Sequence, residues 1–248
     1  MRVRQIENVL DLLEVFARDR EPMTLTEIAK NLSAPKSSAF NIIETLAHRG
    51  YLYETRPRGG YYPTRLLVEL SRAISEGDPL AQHLRPHLAA LARETGETAL
   101  LSVREDNEIV YVDVVESAFP IRYFARIGDR RPLHTTSSGK AILMTYGPDE
   151  RGRALGQLRG AKAQDGSVID LDALDGEIEA SVKRGWSEDW GQTSPDVMAF
   201  GAPVHARGRR LGLAIAGPIY RMKDARERLV EQLMSARSAI LGLLLGDL

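Results

Sequence analysis

The stretch "TLTEIAKNLSAPKSSAFNIIETLAHRGYLYETRPRGGYYPT", residues 24–64, constrains this chain most, because its punctuation leaves little freedom. "LTEIAKNL" is a short helix whose start is set by Thr24, with Glu27 three residues on as the capping-box partner. "SAPK" is a four-residue turn. Pro35 then suits the first turn of the next helix, where its missing N–H has no partner to lose, and Gly50 suits the left-handed residue that closes it. "YLYET" and "YYPT", on either side of "RPRGG", form a hairpin with a basic tip. A preceding helix, about Gln5 to Ala17, carries Ile6, Val9, Leu10, Leu13 and Phe16 on one stripe. Three helices and a hairpin predict a winged helix-turn-helix over residues 1–64.

The helix that opens at Pro35 is apolar on one side only. At about 100° per residue, Ala39, Ile42, Ile43 and Leu46 share a stripe, while Ser37, Asn41, Glu44 and His48 lie opposite and Phe40 lies between. Such a face is either solvated in a protein–protein module or inserted into a DNA groove. In the second case Asn41 can pair with adenine, and the Phe40 edge can touch a thymine methyl. Ser37, Ser38 and the helix start can take phosphates, Thr45 lies one turn beyond Asn41, and Lys36, Arg56 and Arg58 supply positive charge for the backbone or a minor groove.

Charge follows this division. The 248-residue chain has a net charge of −1, but residues 35–65 hold 5 Lys/Arg against 2 Asp/Glu. Cysteine is absent, which removes disulfides, thiolate catalysis and cysteine-ligated zinc. The start, "MRVRQIENVLDLLEVF", is periodic and unlike a signal peptide, and no stretch reaches the ~20 apolar residues of a membrane span. A cytoplasmic protein without membrane partners is expected.

"RLLVELSRAISEGD", residues 65–78, predicts a linker helix ending at Gly77 and Asp78. Beyond it, residues 79–248 mix patterns. Helices are expected at "PLAQHLRPHLAALARET", "TSSGKAILMTY", "LDALDGEIEASVKRG" and from about Asp224 to Leu245. Strands are expected at "TALLSVRE", "IVYVDVVES", "IRYFARI", "VMAFGAPVHA" and "RLGLAIAGPI", with turns at "DNE" and "RGR". Residues 156–169 are the loosest stretch. Hairpins with helices at the edges predict an α+β domain around an antiparallel sheet.

One face of "VMAFGAPV" carries Ala199 and Gly201, and one face of "GLAIAGP" carries Ala214 and Ala216. If the strands pair with those faces together, a bare patch results, and close-packed interiors require a helix or a ligand to cover it. "HTTSSGK" offers a helix start capped by Thr135 or Thr136, with the amides of Ser137, Ser138 and Gly139 turned outward for an anion.

Catalytic patterns do not assemble. "TSSGK" lacks the first glycine of a P-loop, and Ser137 and Lys140 form an S-x-x-K pair without its companion motifs. His83 and His87 have metal-ligand spacing but enclose Pro86 and read as surface residues, while Asp113 and Glu116 have no partner histidine. No enzyme activity, metal or cofactor is expected.

"LTEIAKNLSAPKSSAFNIIETLAHRGYL", with "GDRRPLHTTSSGKAILM" and "GAPVHARGRRLGLAIAGPIYR", resembles the IclR family of bacterial transcriptional regulators over nearly the whole chain. The resemblance implies a double-stranded DNA operator, a GAF-like effector-binding domain, a small carboxylate effector, and dimers that commonly pair again into tetramers. It places the effector's carboxylate at Ser137 and Ser138, with Thr136 beside them, and turns Asp189 toward the ligand. Where this family often has "DDEE" this chain has "EDWGQ", with Trp190 and Gly191. Ala199, Ala214 and Ala216 replace the Cys or Ser of some relatives, which favours an acid with an apolar or aromatic body, flanked by Tyr123, Phe124 or Trp186. Two other readings stay open: a small-acid-binding enzyme or storage protein whose N-terminal module mediates assembly, and a regulator that answers to a partner protein.

Overall fold

The computed structural model describes residues 3–56, 59–76, 79–164, 166–206 and 208–246. Arg58, Gly77, Asp78 and Arg207, to which a wing contact, a helix end and a turn were assigned from sequence, lie outside them. The chain separates into two compact units, residues 1–78 and 79–248.

The first unit contains α1 (Arg4–Asp19), α2 (Leu25–Asn31), α3 (Lys36–His48), the hairpin strands β1 (Leu52–Glu54) and β2 (Tyr61–Pro63), and α4 (Leu66–Glu76). The capping box forms as its spacing predicts: the Thr24 N–H donates to Glu27 Oε2 at 2.8 Å, and the Glu27 N–H to Thr24 Oγ1 at 3.4 Å. α3 ends in paired bonds from the Gly50 N–H to the Ala47 carbonyl (3.0 Å) and from the Tyr51 N–H to the Leu46 carbonyl (2.8 Å). That motif requires the left-handed φ of +78° that Gly50 adopts. Pro35 stands one position earlier than expected, at the N-cap, where its carbonyl accepts the first helical bond from Ala39.

The burial of α1 corrects its expected stripe. Leu12, Val15, Phe16 and the polar Asn8 face inward, whereas Ile6 and Leu10 stay more than half exposed. The apolar arc of α1 is wider than the face that α2 and β2 can cover, and Phe16, edge-on to Tyr62, fixes the rotation.

The second unit opens with α5 (Pro79–Thr95), β3 (Thr98–Glu105) and β4 (Glu108–Val115). Next come β5 (Arg130–Pro132), α6 (Ser137–Leu143), α7 (Pro148–Gln157), α8 (Leu171–Arg184) and β6 (Ser187–Trp190). β7 (Val197–Ala206), β8 (Arg209–Pro218), α9 (Ile219–Met222) and α10 (Arg226–Leu245) complete it. The sheet order is β5-β4-β3-β8-β7-β6, antiparallel throughout. Alternation in the central strands divides two cores. Met198, Phe200, Leu213 and Ile215 pack with the Leu84, Leu88 and Leu91 line of α5 and with Leu229 and Leu233 of α10. Ala199, Ala214 and Ala216 face the other layer, with Leu100, Tyr111, Ile142, Leu143, Leu155 and Ile178.

Residues 121–127 are not the expected strand; the sheet edge is β5 instead. Tyr123 and Ala125 point inward while Ile121, Phe124 and Ile127 are exposed. The alternation therefore records a half-buried extended segment, held by a bond from Thr98 Oγ1 to the Tyr123 carbonyl (2.6 Å) rather than by a ladder. α7 and β6 were not anticipated. The signal for α7 was present in Pro148 at its first turn followed by Asp149 and Glu150. The loose 156–169 stretch folds back on itself, with Lys162 bridged to Val168.

Candidate functional site

In the first unit α3 buries Ala39, Ile42 and Ile43 and turns Lys36, Ser37, Asn41, Glu44, Thr45 and His48 to solvent. Phe40 is 47% exposed, so it is available for contact and is not a packing residue. Ser38 is half-buried on the flank toward α1; Ser38, Asn41 and Thr45 border a groove of about 1030 Å³ with Val3, Ile6 and Val9. The Thr45 hydroxyl donates to the Asn41 carbonyl at 2.7 Å, which leaves it only acceptor capacity toward solvent. Arg56, at the hairpin tip, is exposed.

In the second unit, strands β7 and β8 pair Ala199 with Ala216 and Gly201 with Ala214, so the small faces coincide. A helix covers one part of this patch and a cavity adjoins the other. Over Gly201 and Gly212 the backbone of α6 lies so close that a methyl at Gly201 would sit 2.6 Å from the Ser137 carbonyl carbon, and one at Gly212 3.0 Å from that of Ser138. Over the alanines the layers part, leaving a cavity of about 20 Å³. Thr136, Ser137, Ser138, Asp189, Ala199, Ala214, Ala216 and Tyr123, the eight residues singled out from sequence, all line it. Leu100, Tyr111, Thr193 and Val197 complete the wall; no local pattern marked them.

Thr136 is the cap of α6, and its Oγ1 accepts from the Gly139 N–H at 3.1 Å. Gly139 is thus spent within the helix, correcting its expected role, and the amides of Ser137 and Ser138 remain the two without an intrahelical acceptor. Phe124 is 51% exposed, and Trp186 packs edge-on to Phe200 in the other core; neither borders the cavity.

The cavity holds about one water. Its boundary is a loop tied down on several sides. The Asp189 carboxylate accepts from the Gln192 N–H (2.7 Å) and the Thr193 N–H (3.4 Å), and Thr193 Oγ1 donates to Thr135 Oγ1 at 3.0 Å. Lys140, fully buried, donates to Glu177 Oε1 (2.5 Å), to the Glu188 carbonyl (2.9 Å) and to Gln192 Oε1. With its ammonium committed to three acceptors, Lys140 cannot serve as the base of an S-x-x-K pair. Outside the loop lie two clefts: about 370 Å³, sharing Tyr123 and Thr193 with the cavity, and about 780 Å³ beside His134, Glu177 and Gln192.

Electrostatically the cavity is a poor host for its own carboxylate. Burial pushes Asp189 above the ordinary carboxylate range, against the opposing pull of the Thr193 and Gln192 bonds and of Lys140. Burial also raises Tyr111, whose phenol shares a 3.2 Å hydrogen bond with Tyr123. A raised native pKa makes ionised Asp189 destabilising, and the penalty disappears as pH falls through that pKa toward the unfolded value. The melting temperature of wild type relative to Asp189→Asn should therefore rise as pH drops from neutral into the acid range; a parallel pair of profiles would contradict this.

His83 is exposed on α5, as expected of a surface residue, whereas His87 is half-buried. Asp113 is an ion-pair partner of Arg85. Among the described residues no group of three or more His, Asp or Glu could hold a metal, and no helix is long and apolar enough to cross a membrane.

Comparison with known proteins agrees with this layout. Residues 5–56 match the IclR helix-turn-helix domain, and residues 73–241 match the bacterial transcriptional regulator IclR C-terminal domain. The HTH-type transcriptional regulator BhcR of Paracoccus denitrificans is 29% identical over 226 residues, covering 90% of this chain and 81% of that protein. XynR of Escherichia coli is 24% identical and covers 96% of each. Among solved structures, a transcriptional regulator of Rhodococcus sp. RHA1 superposes with a TM-score of 0.82 at 21% identity over 98% of both chains. An IclR homologue of Microbacterium hydrocarbonoxydans complexed with 4-hydroxybenzoate superposes with a TM-score of 0.77 at 24% identity, covering 97% of this chain and 98% of that one. With a helix-turn-helix unit joined to an antiparallel-sheet unit, and with both family domains matched in order, the chain belongs to the IclR family of bacterial transcriptional regulators.

Proposed function

We propose that this regulator binds a pseudo-palindromic operator as a dimer or dimer of dimers in the cytoplasm, and that a small carboxylic acid with an apolar or aromatic body controls that binding. DNA contact falls to residues 1–64 through Lys36, Ser37, Ser38, Phe40, Asn41, Thr45, Arg56 and Arg58; residues 65–78 connect, and residues 79–248 receive the effector. The observation that carries the reading is the convergence of Thr136, Ser137, Ser138, Tyr123, Asp189, Ala199, Ala214 and Ala216 on one cavity. The 4-hydroxybenzoate of the Microbacterium homologue supports the ligand class. Exposed Ile6 and Leu10 on α1, and Leu66, Val68, Leu70 and Ile74 on α4, support self-association through the first unit.

The cavity is far smaller than the ~300–1,000 Å³ of typical ligand sites. Entry of a ring therefore requires Tyr123 and the Gln192–Thr193 loop to move aside and join the cavity to the 370 Å³ cleft. That requirement makes ligand binding a conformational event, which is what control of a separate DNA-binding unit needs. The test is titration of the full chain with labelled DNA from upstream of its own gene and of adjacent operons, with and without aromatic and aliphatic acids. One acid should raise the melting temperature and shift operator affinity about 5–150-fold. If no acid does either, the effector reading fails, and if no duplex is preferred over random DNA, the operator reading fails.

A further inference from the structure

The ionisable groups around the effector cavity are segregated by sign. The inner cavity is lined by one carboxylate, Asp189, and by no lysine or arginine among the described residues. The 370 Å³ cleft on the other side of Tyr123 is lined by two cations, Arg131 and Lys162, and by no aspartate or glutamate among the described residues. Its remaining lining is neutral, with the polar Thr135, Gln164, Gln192 and Ser194 beside the apolar Pro132 and Ala163.

Lys162 is the freer of the two cations, while Arg131 is held by weak or neutral partners that leave its charge only loosely compensated. The Arg131 guanidinium is about one third exposed; it donates to the Arg130 carbonyl at 2.7 Å and reaches the Asp129 carboxylate only at 3.4 Å. A charge-assisted Arg–carboxylate bond is normally ~2.7–2.9 Å. The phenol of Tyr123 also bears on Arg131, so the wall between cavity and cleft joins a cation on one side to the Tyr111 phenol on the other. Lys162 is exposed at the cleft and forms no ion pair among the described residues.

We propose that Arg131 and Lys162 receive a second anionic group of the effector, so that this regulator responds to a small dicarboxylic acid whose body threads past Tyr123 from the inner cavity into the cationic cleft. The proposal rests on the effector reading above and sharpens it. An acid with a single carboxylate leaves one end of the channel unmatched: it satisfies the inner polar groups and forgoes two cations, or satisfies the cations and leaves the inner polar groups to water. A diacid satisfies both, and opposite charge in a partly desolvated cleft is where a second carboxylate gains most.

The test uses matched pairs of monoacid and diacid on the full chain: benzoate against terephthalate, and hexanoate against adipate. Binding is measured by calorimetry and thermal shift, on wild type and on Arg131→Gln/Lys162→Gln. In at least one pair the diacid should bind wild type about tenfold more tightly or better, with an advantage that shrinks as salt rises. The double variant, verified as folded by circular dichroism, should lose that advantage and keep its affinity for the monoacid. Equal affinity for both members of each pair would overturn the dicarboxylate assignment while leaving the effector reading intact. A diacid preference that survives the double substitution would overturn the roles of Arg131 and Lys162. Absence of binding by all four acids would count against both.

Discussion

Replacing Gly201 by alanine should destabilise the second unit by about 1–3 kcal/mol, the usual cost of forcing a methyl into a filled core, and should abolish acid binding at the same time. The new methyl would meet the backbone of Ser137, which has no rotamer to escape into, and would lie 2.7 Å from Ser187 Oγ. That hydroxyl donates its one proton to the Ser137 carbonyl at 2.6 Å, with the Gly201 carbonyl 3.2 Å away as a second acceptor, so it clamps the start of α6 to the sheet. Relief requires α6 to lift, which displaces Ser137 and Ser138 from the cavity. For a unit of this size the loss corresponds to about 2–4 °C of melting temperature per kcal/mol. Gly242→Ala is the matched control: a methyl there meets open space on α10, and the substitution should be neutral or stabilising by up to about 1 kcal/mol. Equal melting temperatures for Gly201→Ala and wild type would show that α6 does not press on β7 as described.

The second large effect is expected in DNA binding. Asn41→Ala should weaken operator binding by about 1–3 kcal/mol, roughly 5–150-fold, with affinity for random duplex unchanged. Lys36→Ala and Arg56→Ala should instead weaken operator and random DNA alike. Removing one phosphate-binding cation should make the salt dependence shallower by about 0.9 in the slope of log K against log salt. These expectations follow from position: Asn41 is exposed at the middle of the outward face, whereas Lys36 and Arg56 sit at a helix start and a hairpin tip. If equilibrium titration finds that Asn41→Ala preserves the preference for operator over random duplex, base reading lies elsewhere on α3, with Phe40 the next candidate.

What could be read in advance was whatever local chemistry decides. Thr24 and Glu27 cap α2 because four consecutive residues suffice for a capping box, and Gly50 closes α3 because the required left-handed φ suits few other residues. The alanine face of β7 and β8 was legible because strand alternation is strict and the turn between the strands is short. The rotation of α1 was not legible, because Ile6 and Leu10 are as apolar as Leu12 and Val15, and only packing against α2 and β2 chooses between them. Residues 121–127 misled for a related reason: alternation reports half-burial, and the segment is half-buried without being paired. The structural role of Lys140 was not legible, because its partners Glu177, Glu188 and Gln192 lie 37 to 52 positions away in sequence. Gly139 was offered to a ligand because Thr135 and Thr136 were equal candidates for the cap, and only the cap at Thr136 spends that amide.

Strands β7 and β8 write two independent texts in alternate letters. Met198, Phe200, Leu213 and Ile215 hold the sheet to α5 and α10, while Ala199, Ala214 and Ala216, interleaved with them, shape the chamber on the opposite side. Substitutions at residues 199, 214 and 216 would therefore reshape the chamber without touching the hydrophobic seam behind the sheet. Such an arrangement lets the chemistry of one face change while the other continues to hold the unit together.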